Sequence, residues 1–149
     1  MKPIETNKTH ATALIDRFGR VQDYLRISVT DRCNLRCTYC MPASGVLWQQ
    51  RQELLTLEEI ARIARIMASL GVKKVRVTGG EPLLRKGIVG LIRELGEIPG
   101  LRTVAMTTNG VLLSEHARTL KEAGLSGLNL SLDTLKRDVF QSITLRDEF

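Results

Sequence analysis

Cys33, Cys37 and Cys40 are the chain's only three cysteines, and all fall between Asp31 and Pro42. Thiols spaced Cys-x3-Cys-x2-Cys can converge on one inorganic centre only if the backbone loops around it. Soft thiolate ligands select iron-sulfur clusters, zinc or copper(I), so a metal or cluster site is the default reading. A disulfide framework wants an even cysteine count and an oxidising compartment, whereas this count is odd. Structural zinc takes four closed ligands, commonly as two separated pairs, and its usual fourth partners here are His10, His116 or a carboxylate. A 4Fe-4S cube held by three cysteines keeps one iron without a protein ligand, an open position that makes the site reactive.

Tyr39 stands just before the last cysteine, and Cys-x3-Cys-x2-Cys with that aromatic resembles the signature of the radical S-adenosylmethionine enzymes. The longer string over residues 25–42, LRISVTDRCNLRCTYCMP, is similar to one branch of them, the GTP cyclases of molybdenum cofactor biosynthesis. The similarity runs from about Phe18 to the end of the chain.

At 149 residues with 43% hydrophobic side chains, the chain can bury a core as one domain or part of one. A closed eight-unit β/α barrel needs ~200 residues or more, so the sequence reads as truncated. Lysine and arginine exceed aspartate and glutamate by 22 to 16, and this +6 balance suits an anionic ligand or an ordinary solvated surface. The basic residues are scattered and aromatics make up only 4%, which argues against nucleic acid. No apolar run reaches the ~18 to 20 residues of a membrane span, and the N-terminus lacks an apolar signal core. The expectation is a soluble, cytoplasmic protein with reduced thiols.

The elements that would carry the cysteine loop follow from periodicity. Residues 1–23 read as an N-terminal arm, polar up to Ile15 and then turning through Gly19, with His10 solvated. Residues 24–149 read as the β/α core. Tyr24 to Thr30 alternates as a first strand into the cysteine loop. Past a Gly45-containing linker with Trp48, Thr56 and Glu59 form a capping box that opens a helix, with Leu57, Ile60, Ala64, Met67 and Leu70 on its apolar face and Gly71 at its end. A second strand, Val72 to Thr78, closes on Gly79-Gly80-Glu81-Pro82, and a helix follows over Ile88 to Glu97. The third unit is a strand over Thr103 to Thr108, an Asn109-Gly110 turn, and a helix capped by Ser114 and ended at Gly124. His116 sits in that helix's first turn. A fourth strand, Leu128 to Asp133, leads to a helical start over Thr134 to Phe140. Strands alternating with helices predict an α/β fold with about four parallel strands.

Each strand has an apolar face: Leu25, Ile27, Val29; Val75, Val77; Val104, Met106; and Leu128, Leu130, Leu132. That face is expected against the helices. The opposite face carries Arg26, Ser28, Thr30, Arg76, Thr78, Thr103, Ala105, Thr107, Asn129, Ser131 and Asp133, and is expected to line a polar cavity. Two arginines pointing into a cavity need carboxylate partners or an anionic ligand, and Asp133 is the only acidic candidate on that face. Gly79 and Gly80 would let backbone approach a ligand closely, and Glu81 offers an acceptor suited to an ammonium group.

The resemblance implies a partial radical S-adenosylmethionine barrel of the TIM type, with ligand sites at the C-terminal strand ends. It implies a 4Fe-4S cluster on Cys33, Cys37 and Cys40, S-adenosylmethionine at Tyr39, Gly80 and Ser131, and GTP at Arg26, Arg76 and Thr107. A one-electron reductant protein would feed the cluster, and a 5'-deoxyadenosyl radical would take hydrogen from GTP. In that branch the C-terminal half carries a second three-cysteine cluster, and no cysteine follows Cys40 here. The chain is therefore expected to need the missing half or to self-associate. The alternatives are a radical enzyme of the same family acting on another substrate, and an inactive iron-sulfur-binding fragment.

Overall fold

The computed structural model describes residues 13–41 and 46–149. Four strands, β1 (Tyr24–Ser28), β2 (Lys74–Thr78), β3 (Thr103–Thr108) and β4 (Gly127–Leu130), form one parallel sheet in chain order. Helices α1 (Leu57–Ser69), α2 (Ile88–Gly96), α3 (Leu113–Glu122) and α4 (Arg137–Thr144) follow the strands in turn. The residues before 13, His10 among them, and the Gly45 end of the linker lie outside the described residues. What is described of the arm is a tight turn. Ile15 bridges Val21, and the Asp16 carboxylate accepts from the Phe18 and Arg20 N–H groups and from the Arg20 guanidinium.

Register sorts the side chains. Ile27, Val77, Met106 and Leu128 align across the sheet on one face, and Arg26, Arg76, Ala105 and Gly127 align on the other. Val75, Val77 and Met106 are fully buried against Ile60 and Ala64 of α1 and Leu91, Ile92 and Leu95 of α2. Burying each larger apolar side chain is worth roughly 1.5–3 kcal/mol, so this face holds the unit together. At α1 the expected capping box is present: Glu59 N–H donates to Thr56 Oγ1, and Glu59 Oε2 accepts from Thr56 N–H. Val72 N–H returns to the Met67 carbonyl past Gly71, ending the helix as expected.

Four expectations are corrected. The first residue of α3 is Leu113, with Leu112 rather than Ser114 at the cap and no side-chain cap bond. Leu112 and Leu113 both pack against the core, and their burial overrides the capping preference of serine. Strand β4 ends at Leu130, because Ser131 N–H makes the last rung, to Thr108 O, where β3 stops. Leu128, Leu130 and Leu132 are 42%, 51% and 42% exposed, so the apolar row of this edge strand lacks the helix cover expected for it. Finally, Thr134 Oγ1 accepts from Lys136 N–H in a local turn, and α4 starts only at Arg137. No helix among the described residues is long and apolar enough to cross a membrane.

Candidate active site

The cysteine loop leaves the C-terminal end of β1 and is held from three sides. From within, buried Leu35 anchors it, and Arg36 turns its guanidinium back to the Cys33 and Leu35 carbonyls, 2.7 Å from each. The same guanidinium lies over the Trp48 ring. The Cys40 and Met41 N–H groups both donate to the Cys37 carbonyl, closing the turn between the last two cysteines. From below, α4 supplies carbonyls: Arg36 N–H donates to Thr144 O at 2.8 Å and Thr38 N–H to Ile143 O at 2.9 Å.

The third side is the Gly79-Gly80-Glu81-Pro82 turn after β2. Gly80 N–H donates to Thr30 O and Glu81 N–H to Arg32 O, each at 2.7 Å. A Cβ on Gly80 would collide with the Arg32 carbonyl oxygen, so the glycine is required by backbone of this chain approaching closely. Glu81 is wholly buried. Its carboxylate accepts from Leu83 N–H at 3.0 Å, Thr108 Oγ1 at 2.7 Å and Asn109 N–H at 2.8 Å. The expectation that Glu81 offers an acceptor to an ammonium group is thus corrected: three donors of the protein already occupy it.

The three thiols are free, with Cys33 and Cys37 half-buried and Cys40 exposed. Burial pushes the Cys37 thiol up from its ordinary value against an opposing hydrogen bond from Tyr39, and the proximity of Cys33, Cys40 and Asp133 adds to the rise. A cationic centre bound by the loop would favour the deprotonated Cys37 and reverse that trend. No three His, Cys, Asp or Glu side chains among the described residues close on a single ion. The set offers soft sulfur donors from one short loop, and its chemistry fits a thiolate-held cluster.

The remaining candidates lie on the open sheet face or at its C-terminal rim. Tyr39, 68% exposed, donates its hydroxyl to Asp133 Oδ2 at 2.9 Å, and this bond with partial burial holds the phenol above its ordinary pKa. Ser131, exposed, is two residues before Asp133, just past β4. Arg26 and Arg76 are register partners on β1 and β2, and Arg76 Nη1 donates to Thr107 Oγ1 at 3.2 Å. Neither arginine belongs to the ion pairs of the described residues, which join Arg20 to Asp16, Arg65 to Glu94 and Arg137 to Asp147. The alternative of an Arg-Asp133 network is therefore not formed among them. Arg26, Arg76 and Thr107 are brought to one face, with Tyr39 and Ser131 toward its C-terminal rim. Missed from the sequence were Asn109, whose amide reaches Cys33, and the service of α4 to the loop. The Asn109-Gly110 turn signal was visible at a strand end, but not what the asparagine would touch.

Comparison with known proteins bears on this arrangement. The model of the Radical SAM superfamily matches residues 27–148. The GTP 3',8-cyclase of Petrotoga mobilis is 56% identical over 136 residues, covering 91% of this chain and 42% of that protein. Molybdenum cofactor biosynthesis protein 1 of Drosophila melanogaster is 50% identical over 149 residues, covering 98% of this chain and 26% of that protein. Among solved structures, Streptococcus suis SuiB bound to S-adenosylmethionine superposes with a TM-score of 0.66 at 23% identity, covering 85% of this chain and 28% of that one. BtrN in complex with AdoMet and 2-DOIA gives a TM-score of 0.58 at 21% identity, over 83% of this chain and 51% of that one. These two share the fold. The chain thus spans well under half the length of the curated relatives it matches. With a family match over most of its length, the chain belongs to the Radical SAM superfamily, and the cofactors that follow from that membership are a 4Fe-4S cluster and S-adenosylmethionine.

Proposed function

We propose that the chain is the N-terminal part of a GTP 3',8-cyclase of molybdenum cofactor biosynthesis. The observation that carries this reading is the Arg26-Arg76 pair: two arginines in backbone register on one face of adjacent strands, with no ion-pair partner among the described residues. Like charges so placed repel, and an anionic ligand such as a triphosphate offsets that cost. Relatives named GTP 3',8-cyclase at 52–56% identity support the choice of GTP as that anion.

Cys33, Cys37 and Cys40 would hold the cluster. When bound, the cluster and S-adenosylmethionine together supply a one-electron cleavage that starts radical chemistry on the substrate. Tyr39, Gly80 and Ser131 would border S-adenosylmethionine, Gly80 by keeping the turn pressed on the loop. Arg26 and Arg76 would bind GTP, with Thr107 fixing the Arg76 guanidinium. A one-electron reductant protein would feed the cluster, and a cytoplasmic setting would keep the thiols reduced.

Equilibrium binding of GTP to the anaerobically reconstituted chain tests the reading. Arg76→Ala is expected to weaken binding about tenfold to a hundredfold, the loss of a charge-assisted hydrogen bond worth roughly 1.5–3 kcal/mol, at unchanged iron content. GTP affinity equal to that of the unchanged chain would refute the assignment.

A further inference from the structure

Among the described residues, the loop's one side-chain tie to the third βα unit runs through Asn109, just past the C-terminal end of β3. Its Oδ1 accepts from Val111 N–H at 3.1 Å, which fixes the amide's orientation, since a donor must face an oxygen. The NH2 group is thereby turned toward the cysteine loop. It stands 2.8 Å from Asn34 Oδ1 and 3.7 Å from Cys33 Sγ, and an amide nitrogen has one hydrogen for each. The backbone N–H of the same residue is locked on the buried Glu81 carboxylate. Cys33 Sγ also receives Leu35 N–H at 3.4 Å, so two N–H dipoles converge on one sulfur.

From this geometry we propose that Asn109 is a positioning residue that sets the reduction potential of the bound cluster through Cys33, resting on the reading of Cys33, Cys37 and Cys40 as the cluster's ligands. Hydrogen bonds to ligand sulfur stabilise the more negative, reduced state and raise the potential. The donor is not adjustable: Glu81 holds the Asn109 backbone and Val111 its side-chain oxygen, both independently of Asn34, so the amide keeps its aim when the cluster changes charge.

The test is a redox titration of the anaerobically reconstituted full chain, followed by electron paramagnetic resonance, with iron and sulfide counted for each sample. Asn109→Ala is expected to take up the same iron as the unchanged chain and to titrate at a more negative potential. Asn34→Ala, which leaves the amide aimed at the sulfur, is expected to keep the potential of the unchanged chain. Equal potentials for Asn109→Ala and the unchanged chain at equal iron content would overturn the inference while leaving the cluster reading intact. Absence of a cluster from the unchanged chain would overturn both. Where Asn109→Ala loads poorly, pulsed resonance on the chain carrying 15N-labelled asparagine side chains decides. A nitrogen coupling that persists in Asn34→Ala supports the inference, and its absence refutes it.

Discussion

Glu81 is wholly buried and accepts three hydrogen bonds, so its loss leaves three donors without partners in a site that water does not reach. Each such orphan costs about 1–3 kcal/mol, and Glu81→Ala is expected to lower unfolding free energy by roughly 3 kcal/mol or more in denaturant titration. Glu81→Gln keeps one acceptor oxygen and should cost less. A loss of under about 1 kcal/mol for Glu81→Ala would show that the carboxylate is dispensable to the fold. Gly80→Ala probes the neighbouring contact. A Cβ there would meet the Arg32 carbonyl, so the loop must shift, and the variant is expected to take up less iron on reconstitution than the unchanged chain. At this scale the sequence was informative about composition and less so about partners. The cysteine spacing announced a thiolate centre, and Gly79-Gly80 announced a close approach. That Gly80 meets the Arg32 backbone and Glu81 meets Thr108 and Asn109 depends on how two strand ends abut, which local spacing does not encode.

Among the elements, α1 has its boundaries written in local chemistry, and Thr56→Ala removes one half of its capping box. The expected cost is about 1 kcal/mol in thermal or chemical unfolding, with GTP binding unaffected, because the cap's bonds are local to Thr56 and Glu59 and none reaches Arg26 or Arg76. The period-two strands and the Gly71 stop were equally legible, since each follows from one residue's own backbone or from which face is buried. The start of α3 was not: Leu112 and Leu113 find the core, and burial outweighs the cap that Ser114 could have formed. Nor was the length of β4, which is set by where its neighbour β3 stops.

For the molecule as a whole, the sheet has two edges, and β4 presents one of them with Leu128, Leu130 and Leu132 uncovered. An unpaired apolar edge promotes association, so sedimentation is expected to show concentration-dependent self-association, reduced in Leu130→Lys. An open sheet also leaves its polar face wet, which weakens contacts to phosphate and exposes radicals to quenching. The chain alone should therefore release 5'-deoxyadenosine from S-adenosylmethionine on reduction, with little dependence on GTP and no stoichiometric cyclised product by chromatography. The bonds from Arg36 and Thr38 to Thr144 and Ile143 carry one more consequence, which concerns the order of events during synthesis. Each strand pairs with the one made just before it, so the sheet can grow as the chain leaves the ribosome, but the cysteine loop near its start lacks the last of its three supports until α4 emerges. Metal insertion should then be a late step that waits for residues a hundred positions downstream. Ribosome-stalled chains ending before Arg137 are expected to expose Cys37 to maleimide faster than chains extended past Thr144.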